Sequence, residues 1–292
     1  MSRLRQALAR GEFVVTGEVA PPHGTDCSAM LASVAKLAPV CHAINVTDNQ
    51  GATLHISSIA ASRLMVDSGC NCEPIFQQTC RDRNRLALQG DLLGAWALGL
   101  ENVLLVSGDD PRGGDHTQAK GVFDLDSTLL MEVATGLNAG VDMTGASLDG
   151  ATDFFIGGAL FPEVEPWEIQ LDRALQKVEA GAMFFQTQGI TDIDKFARAA
   201  EALRPTGVKL IGGIVLLKSP GVIRFINERL PGMMIPEHIS DRIAAAEDPL
   251  EESIRLASEQ VRDLREIAEG VHIMPLGADG AVARILEGAG LA

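Results

Sequence analysis

Short apolar runs recur along this chain, and a polar cluster and then a stretch with helical spacing follow most of them. The apolar runs predict buried strands near 13–19, 42–47, 73–79, 102–107, 153–159, 183–188, 208–216 and 271–275. Apolar residues recur at helical spacing near 27–38, 54–67, 84–98, 126–137, 166–180, 191–203, 220–229 and 250–269. Strands that alternate with helices are typical of a parallel sheet.

The repeated strand–helix unit has two common folds, a closed barrel and a doubly wound open sheet. Right-handed crossovers keep a parallel sheet winding in one direction until it closes, so the pattern predicts an α/β fold, the (β/α)8 TIM barrel. The open sheet is the alternative, but no Gly-x-Gly-x-x-Gly follows a predicted strand and no P-loop motif is present. We expect a single barrel domain over 1–292, with an extra helical stretch near 236–248.

Composition limits the kinds of partner. The formal net charge is −15, which gives no basic surface for nucleic acid or an anionic membrane. No apolar run reaches membrane-spanning length, and Met1 to Gly11 lacks the apolar core of a signal peptide, so we expect a cytoplasmic protein. The five cysteines include no Cys-x-x-Cys pair, so we expect reduced thiols and no metal site, Cys70-Asn71-Cys72 being the weak alternative. Homo-oligomer formation stays open.

Polar clusters end several predicted strands, at the end of a parallel barrel where ligands bind. Thr47-Asp48 ends the second strand, Gln77-Gln78-Thr79 the third, Ser107-Gly108-Asp109 the fourth and Gln186-Thr187-Gln188 the sixth. A single polar residue at a strand end commonly satisfies the backbone, and an aspartate such as Asp109 commonly stabilises a turn or caps a helix. Several such clusters on one face favour a binding site.

Glu18 ends the first predicted strand, directly before Val19-Ala20-Pro21-Pro22. A surface ion pair is the simplest interpretation of a glutamate at such a position. In a barrel, however, the end of the strand faces the mouth, where a carboxyl group can serve as a general acid. Glu18 is therefore a candidate catalytic residue.

These motifs together resemble the methylenetetrahydrofolate reductase family, in its bacterial form with a single catalytic domain, from about Glu18 to Pro236. The resemblance implies reduction of 5,10-methylenetetrahydrofolate to 5-methyltetrahydrofolate by NADH or NADPH through bound FAD. Glu18 matches the family glutamate that acts as the acid for opening the folate ring. Asp109 matches the aspartate beside the flavin, which stabilises the cationic folate intermediate. Gln188 matches the glutamine that contacts the pterin, so all three are expected to meet the substrate.

The resemblance also implies flavin-binding residues. Thr47 and Gln77 match a family threonine and histidine, Phe161 a flavin-side aromatic, and Lys177 a lysine that contacts phosphates, although a solvated helix lysine is the ordinary interpretation. In the loop 109–126, a phosphate contact from Lys120 and a ribose contact from Asp124 would suit an adenine dinucleotide. The full set expected to bind the cofactor is Thr47, Asp48, Gln77, Thr79, Ser107, Gly108, Lys120, Asp124, Phe161 and Lys177.

The chain departs from the family mainly in its aromatic residues. Val19 and Ala20 replace two phenylalanines, Leu217 to Pro220 lacks the aromatic that follows the family's seventh strand, and Ser107 stands where arginine is common. The sequence contains no tyrosine. These departures favour an alternative, a folate oxidoreductase of the same fold that uses another electron donor or works without bound flavin. A further alternative is a non-catalytic folate-binding subunit, against which Glu18, Asp109 and Gln188 argue.

Overall fold

The computed structural model describes residues 1–229 and 232–291, and in them it forms a closed barrel of parallel strands. Each strand is hydrogen-bonded to the next along the chain, and the last pairs with the first. The strands are β1 (Val14–Val19), β2 (Ala43–Val46), β3 (Glu73–Thr79), β4 (Asn102–Val106), β5 (Phe155–Leu160), β6 (Phe184–Gly189), β7 (Lys209–Val215) and β8 (Gly270–Met274). The predicted (β/α)8 TIM barrel is confirmed.

Helices surround the barrel, and each predicted helical stretch overlaps one of them. They are α1 (Arg3–Ala9), α2 (Ser28–Leu37), α3 (Ser58–Asp67), α4 (Arg85–Ala97), α5 (Ser127–Asn138), α6 (Trp167–Glu179), α7 (Ile193–Leu203), α8 (Pro220–Arg229), α9 (Glu237–Ala244), α10 (Pro249–Arg265) and α11 (Ala281–Gly288). The helical spacing did not predict α1 or α11. The second of these follows β8 and completes the outer layer, while α9 is an extra helix between β7 and β8.

The N-terminal end of the barrel is closed by an apolar floor. Leu4, Ala7 and Leu8 of α1 form one buried cluster with inward-facing strand residues: Val14, Ala43, Ile75, Leu104, Phe155, Phe184 and Ile211. The carboxylate of Glu73 accepts hydrogen bonds from the amides of Arg3 and Leu4, which satisfies two of the orphan donors at the start of α1. Ligands must therefore enter from the opposite end, the C-terminal ends of the strands, which form the mouth.

The described residues contain no helix long and apolar enough to cross a membrane. They also contain no group of three or more His, Cys, Asp or Glu side chains placed to hold a metal ion. The thiols of Cys70 and Cys72 each donate to backbone carbonyls, and burial raises the pKa of the Cys72 thiol far above its ordinary value. Burial also raises the pKa of Cys41 and of Cys80 to about 12.

Candidate active site

A layer of polar side chains lies directly above the apolar floor, inside the barrel. Gln186 Nε2 donates to Thr16 Oγ1 at 3.2 Å. Since β1 and β6 are not neighbours in the sheet, this contact crosses the barrel interior. Thr16 Oγ1 also lies 3.1 Å from Nδ1 of His272 on β8, and all three residues are buried. These bonds offset part of the cost of burying the layer, although Oε1 of Gln186 has no partner among the described residues.

Glu18 lies two residues beyond Thr16 on β1, so its side chain faces the same interior, one layer closer to the mouth. Its Oε2 lies 3.5 Å from His272 Nε2, and the side chain is only 13% exposed. The interpretation of Glu18 as a surface ion-pair residue is therefore wrong. The carboxylate stands on the inner wall, where a bound substrate can reach it.

The ends of β2 and β3 are joined through a buried carboxylate. Asp48 accepts hydrogen bonds from Thr79 N at 2.9 Å and from Thr79 Oγ1 at 3.0 Å. It also accepts from Arg83 Nη1 at 2.8 Å. Asp48 and Thr79 were both expected to bind the cofactor. Instead they are hydrogen-bonded to each other, and Asp48 is also bonded to Arg83. These bonds join the end of β2 to the end of β3 and to the loop that follows it.

Thr47 and Gln77 lie at the same ends of β2 and β3, and each carries a polar group that could bind a ligand. Thr47 is buried, and its hydroxyl has no hydrogen-bond partner among the described residues. Gln77 is half-buried and follows the inward-facing Ile75 by two positions on β3. A buried hydroxyl without a partner is costly, so a ligand or an ordered water is expected at Thr47.

Gly108 connects β4 to its loop in a conformation that favours glycine. Its φ is +91°, and an added Cβ would lie 3.0 Å from Arg81 Cβ and 3.1 Å from Thr79 Cβ. Arg81 is buried, bonded to Asp82 and to the carbonyl of Asn49, while its Nη1 has no partner among the described residues. Ser107 is exposed. The glycine allows the β4 loop to pack closely on the end of β3.

Asp109 is exposed, and its Oδ2 accepts a hydrogen bond from Gly51 N at 3.0 Å. The carboxylate therefore links the loop after β4 to the loop after β2. Asp109 thus neither stabilises its own turn nor caps a helix, whereas the neighbouring Asp110 accepts a local bond from Arg112 N. The contact with Gly51 also places the Asp109 carboxylate at the mouth, although not in contact with Glu18.

Three more residues expected to bind the cofactor lie in the loop after β4 and at the end of β5. Asp124 binds Arg85 through Nε and Nη2, both at 2.9 Å, and through the backbone amide, and these bonds lower the pKa of Asp124 to about 2. Lys120 is exposed in the same loop. Phe161 is half-buried at the end of β5, where a Cβ added to Gly232 would lie 3.6 Å from its ring. Asp124, the acid expected to contact a ribose, is thus already paired with Arg85.

Lys177 lies on α6 but not on a fully solvated face. Its Nζ donates to the carbonyl of Ala159 at 2.8 Å, close to the mouth end of β5. Burial, with a smaller contribution from Arg173, lowers the pKa of Lys177 to about 8. The ordinary interpretation as a solvated helix lysine is therefore wrong, and the ammonium group is held against the barrel.

Gln188 is half-buried near the end of β6, where the pairing with β7 shifts register between Gln186 and Gly189. Two residues of β6 oppose one of β7 there, which is a β-bulge. Bulges re-aim side chains and are common beside active sites. Gln188 therefore differs from Gln186, whose side chain is buried and bonded to Thr16.

The interior layer was not predicted as part of the site, nor were two arginines near the ends of β2 and β3. The layer consists of Thr16, Asn45, Gln186 and His272, and the arginines are Arg81 and Arg83. A signal was present: a polar residue interrupts an apolar strand at the parity of the inward-facing positions, as in Val271-His272-Ile273. The strand pattern does not show which of these side chains contact one another.

Comparison with known proteins gives a family match over nearly the whole chain. The family model described as methylenetetrahydrofolate reductase matches residues 3–290. The chain is 26% identical over 227 residues to methylenetetrahydrofolate reductase 1 of Schizosaccharomyces pombe, covering 73% of this chain and 35% of the relative. It is 26% identical over 202 residues to methylenetetrahydrofolate reductase 2 of Saccharomyces cerevisiae, covering 66% and 30%. The chain therefore spans about a third of the length of these relatives.

Solved structures share the barrel at low sequence identity. An uncharacterized protein from Clostridium thermocellum that binds two copies of 5-methyl-5,6,7,8-tetrahydrofolic acid has a TM-score of 0.70, with 13% identity over 99% of this chain and 100% of that chain. An oxaloacetate acetylhydrolase has a TM-score of 0.55, with 14% identity over 98% and 84%. Likeness at this level shows the fold, which hosts unrelated reactions.

Proposed function

Because the chain belongs to the methylenetetrahydrofolate reductase family, we propose that it reduces 5,10-methylenetetrahydrofolate to 5-methyltetrahydrofolate with electrons from NADH or NADPH. The observation that carries the proposal is the carboxylate of Glu18, only 13% exposed on the inner wall of the mouth and 3.5 Å from His272. The relatives named methylenetetrahydrofolate reductase support it, as does the structural neighbour that binds 5-methyltetrahydrofolate.

Glu18 is the proposed general acid. The methylene carbon of the substrate bridges two nitrogens in a five-membered ring. The carbon accepts hydride once the ring opens to an iminium ion. A proton delivered from the Glu18 carboxyl group to the departing nitrogen promotes that opening. The wall of the barrel keeps the carboxyl group away from bulk water and fixes its position relative to the mouth.

Asp109 and Gln188 are proposed to act on the same substrate from two different strand ends of the mouth, those of β4 and β6. The exposed Asp109 carboxylate supplies negative charge against the iminium ion while it keeps its hydrogen bond to Gly51. The half-buried amide of Gln188 offers both a donor and an acceptor, which matches the mixed edge of a pterin. Glu18, Asp109 and Gln188 come from β1, the loop after β4 and β6, so the substrate would lie across the mouth.

The rim between β2 and β4 fits the polar edge of a flavin ring. The unpartnered hydroxyl of the buried Thr47 is the observation that favours this fit, and the half-buried amide of Gln77 lies on the next strand. Thr47, Gln77, Ser107 and Gly108 would hold the ring, with Phe161 as an aromatic neighbour. FAD, when bound, supplies hydride transfer between the nicotinamide and the folate. The protein orients the two substrates and positions the proton.

A second candidate function is direct reduction of the folate by NADH or NADPH without flavin. Two observations favour it: Asp124 is bound to Arg85, and the Lys177 ammonium group is bound to the Ala159 carbonyl. As it stands, neither is free to make the contact with FAD that was expected of it. The exposed Lys120 is the remaining positive group expected near phosphates.

The absorption spectrum of the purified protein, followed under anaerobic conditions, tests both functions. For the flavin-dependent reductase, NADH or NADPH bleaches a flavin absorbance and 5,10-methylenetetrahydrofolate restores it. Folate-dependent oxidation of NADH by flavin-free protein supports the second function. Folate binding without turnover in either arrangement contradicts both and supports a non-catalytic folate-binding subunit.

A further inference from the structure

Helix α4 presents an apolar face that no described residue of the chain covers. Three leucines on it, Leu86, Leu93 and Leu98, are 77%, 36% and 43% exposed. Small residues lie between them at helical spacing, and the face consists of Leu86, Gly90, Leu93, Gly94, Ala97 and Leu98. These six residues are the α4 face. A single exposed leucine is ordinary on a protein surface, whereas a contiguous apolar face marks a contact surface.

Two glycines in the middle of the α4 face are not required by the packing of the chain itself. A Cβ added to Gly90 or to Gly94 would meet no described atom within 4 Å. Both lie inside the helix, where glycine is less stable than alanine. Elsewhere in the barrel glycine is required, since a Cβ added to Gly157 would lie 2.2 Å from the ring of Phe184. Close approach of another molecule to α4 would explain the two open glycines.

The α4 face carries no charged residue, although the chain has a formal net charge of −15. The charged residues of the helix lie at its edges and are paired, Arg85 with Asp124 at 2.9 Å and Asp91 with Arg83 at 2.8 Å. A basic partner would be recognised through unpaired carboxylates, and this face presents none. Two copies of an acidic chain repel each other, so they associate most readily through a face that keeps their carboxylates apart. The charge pattern therefore favours a second copy of this chain.

The order of large and small residues along α4 is self-complementary. In an antiparallel pair with a twofold axis between positions 91 and 92, Leu86 of either copy faces Ala97 of the other, and Leu93 faces Gly90. Each leucine then meets a small residue, as ridges meet grooves in helix packing. A parallel pair would instead place leucine against leucine and glycine against glycine. The sequence of the face thus fits an antiparallel contact with itself.

We propose that the α4 face is the contact surface of a homodimer in which two α4 helices pack antiparallel across a twofold axis. The 13 residues of α4 give a strip roughly 20 Å long and 10 Å wide, smaller than the surface of about 800 Å² that each partner buries in a stable complex. Exposed apolar residues beside α4 extend the strip. Met143, 38% exposed, donates its amide to Gln89, and Leu129, 42% exposed, lies in the first turn of α5, which packs beside α4.

Sedimentation velocity of the purified chain over a range of micromolar concentrations tests this surface. We expect a dimer for the wild type and an increase in Kd of about 10- to 100-fold for Leu93→Lys, which places a charge at the centre of the contact. Leu175→Lys, at a leucine of α6 that is 37% exposed, is the matched control and should leave the Kd unchanged. A monomeric wild type, or equal effects of the two lysine substitutions, overturns the proposal.

Exchange of one large and one small residue tests the antiparallel arrangement. Ala97→Leu places two leucines against each other and Leu86→Ala leaves a gap, so each should raise the Kd by about five- to 20-fold. The double variant Leu86→Ala/Ala97→Leu again pairs one large with one small residue at each contact and should return the Kd to within about threefold of the wild type. Both positions are exposed in the single chain, and circular dichroism checks that each variant is folded. Multiplication of the two losses in the double variant overturns the proposed arrangement.

Discussion

The inner wall of β1 and β8 differs sharply from the loop that follows β4, although both carry acidic residues expected at the site. On the wall, Glu18 faces His272 and lies on a strand that pairs with β8 through Val14–Thr16 and with β2 through Thr16–Val19. In the loop, the carboxylates bind partners of their own: Asp109 the amide of Gly51, Asp110 the guanidinium of Arg112, and Asp124 the guanidinium of Arg85.

This difference shows how the two regions can contribute to function. A carboxyl group on the wall is fixed in place by the sheet and is ready for chemistry without rearrangement. An acid in the loop must exchange an existing hydrogen bond or ion pair for a ligand, and exposed ion pairs are weak enough to allow this. We therefore expect substitutions on the wall to change the rate of the reaction, and substitutions in the loop to change binding or redox properties by smaller factors.

Glu18→Gln should give the largest effect, because it removes the proposed acid from the wall. Folate reduction should slow by about 10²- to 10⁴-fold, the usual contribution of a general acid, while the NAD(P)H-dependent half-reaction keeps its rate. Stopped-flow measurement of the two half-reactions separates them. The matched control is Glu132→Gln, an exposed glutamate on α5. Equal losses in both half-reactions would show that Glu18 serves the cofactor or the fold.

Gln188→Ala tests the bulged end of β6, a strand of the same barrel whose side chain here is half-buried. Loss of the amide should weaken folate binding by about 1–3 kcal/mol, or roughly five- to 150-fold, with little effect on NAD(P)H oxidation by an artificial acceptor. Titration with folate measures the change, and Gln176→Ala on the exposed face of α6 is the control. Unchanged folate affinity in a folded variant removes Gln188 from the site.

Lys177 lies between the two regions, since its ammonium group contacts the end of β5 and is influenced by Asp126 at the end of the loop. Its pKa falls from an ordinary value of 10.5 to about 8. Between those values the unfolded chain binds more protons than the folded chain, so this group makes stability rise with pH from about 8 to 10.5. Below that window both states are charged and the cost of burial is complete.

Lys177→Met should remove this pH dependence. Chemical denaturation of the wild type and the variant between pH 7 and 10 should show the wild type gaining on the order of 1–3 kcal/mol relative to the variant as the pH rises. The sequence contains no tyrosine, so no phenol titrates in this window. Lys36→Met, at an exposed lysine of α2, supplies the control. A constant difference across this range would mean that Lys177 is not buried as a charged group.

Much of the barrel could be predicted from the sequence, because its signals are local. The apolar run near 102–107 predicts β4, which the structure places at Asn102–Val106, and the other seven strands also lie within a few residues of their predictions. Helices α1 and α11 were missed, since each is only 7 or 8 residues long and repeats the apolar spacing over about two turns, although Ser2 caps the start of α1. Both become stable by packing their apolar faces against the barrel.

The candidate site could be predicted only in part. A polar residue after an apolar run identifies Glu18 and Thr47 as strand-end positions, but it does not show which strands face one another across the barrel. The contacts of Thr16 with Gln186 and with His272 join residues 170 and 256 positions apart. Local periodicity gives the direction of a side chain, whereas the closure of the sheet decides its partner.

Asp109→Asn should give the smallest effect and tests the loop side of the comparison. Asparagine can still accept the Gly51 amide through its side-chain oxygen, so the loop should keep its shape while one exposed negative charge is lost. The rate at which NAD(P)H reduces the bound flavin should then rise by about two- to fivefold. The rate of folate reduction should fall by a similar factor, because the iminium ion loses the stabilisation expected from an exposed charge. Redox titration and the two half-reaction rates measure these opposite changes.

Asp110→Asn, which removes the neighbouring carboxylate from Arg112, is the control and should leave both unchanged. An unchanged redox potential in Asp109→Asn would restrict Asp109 to its structural bond with Gly51, and the wall alone would then carry the charges that act on the substrate.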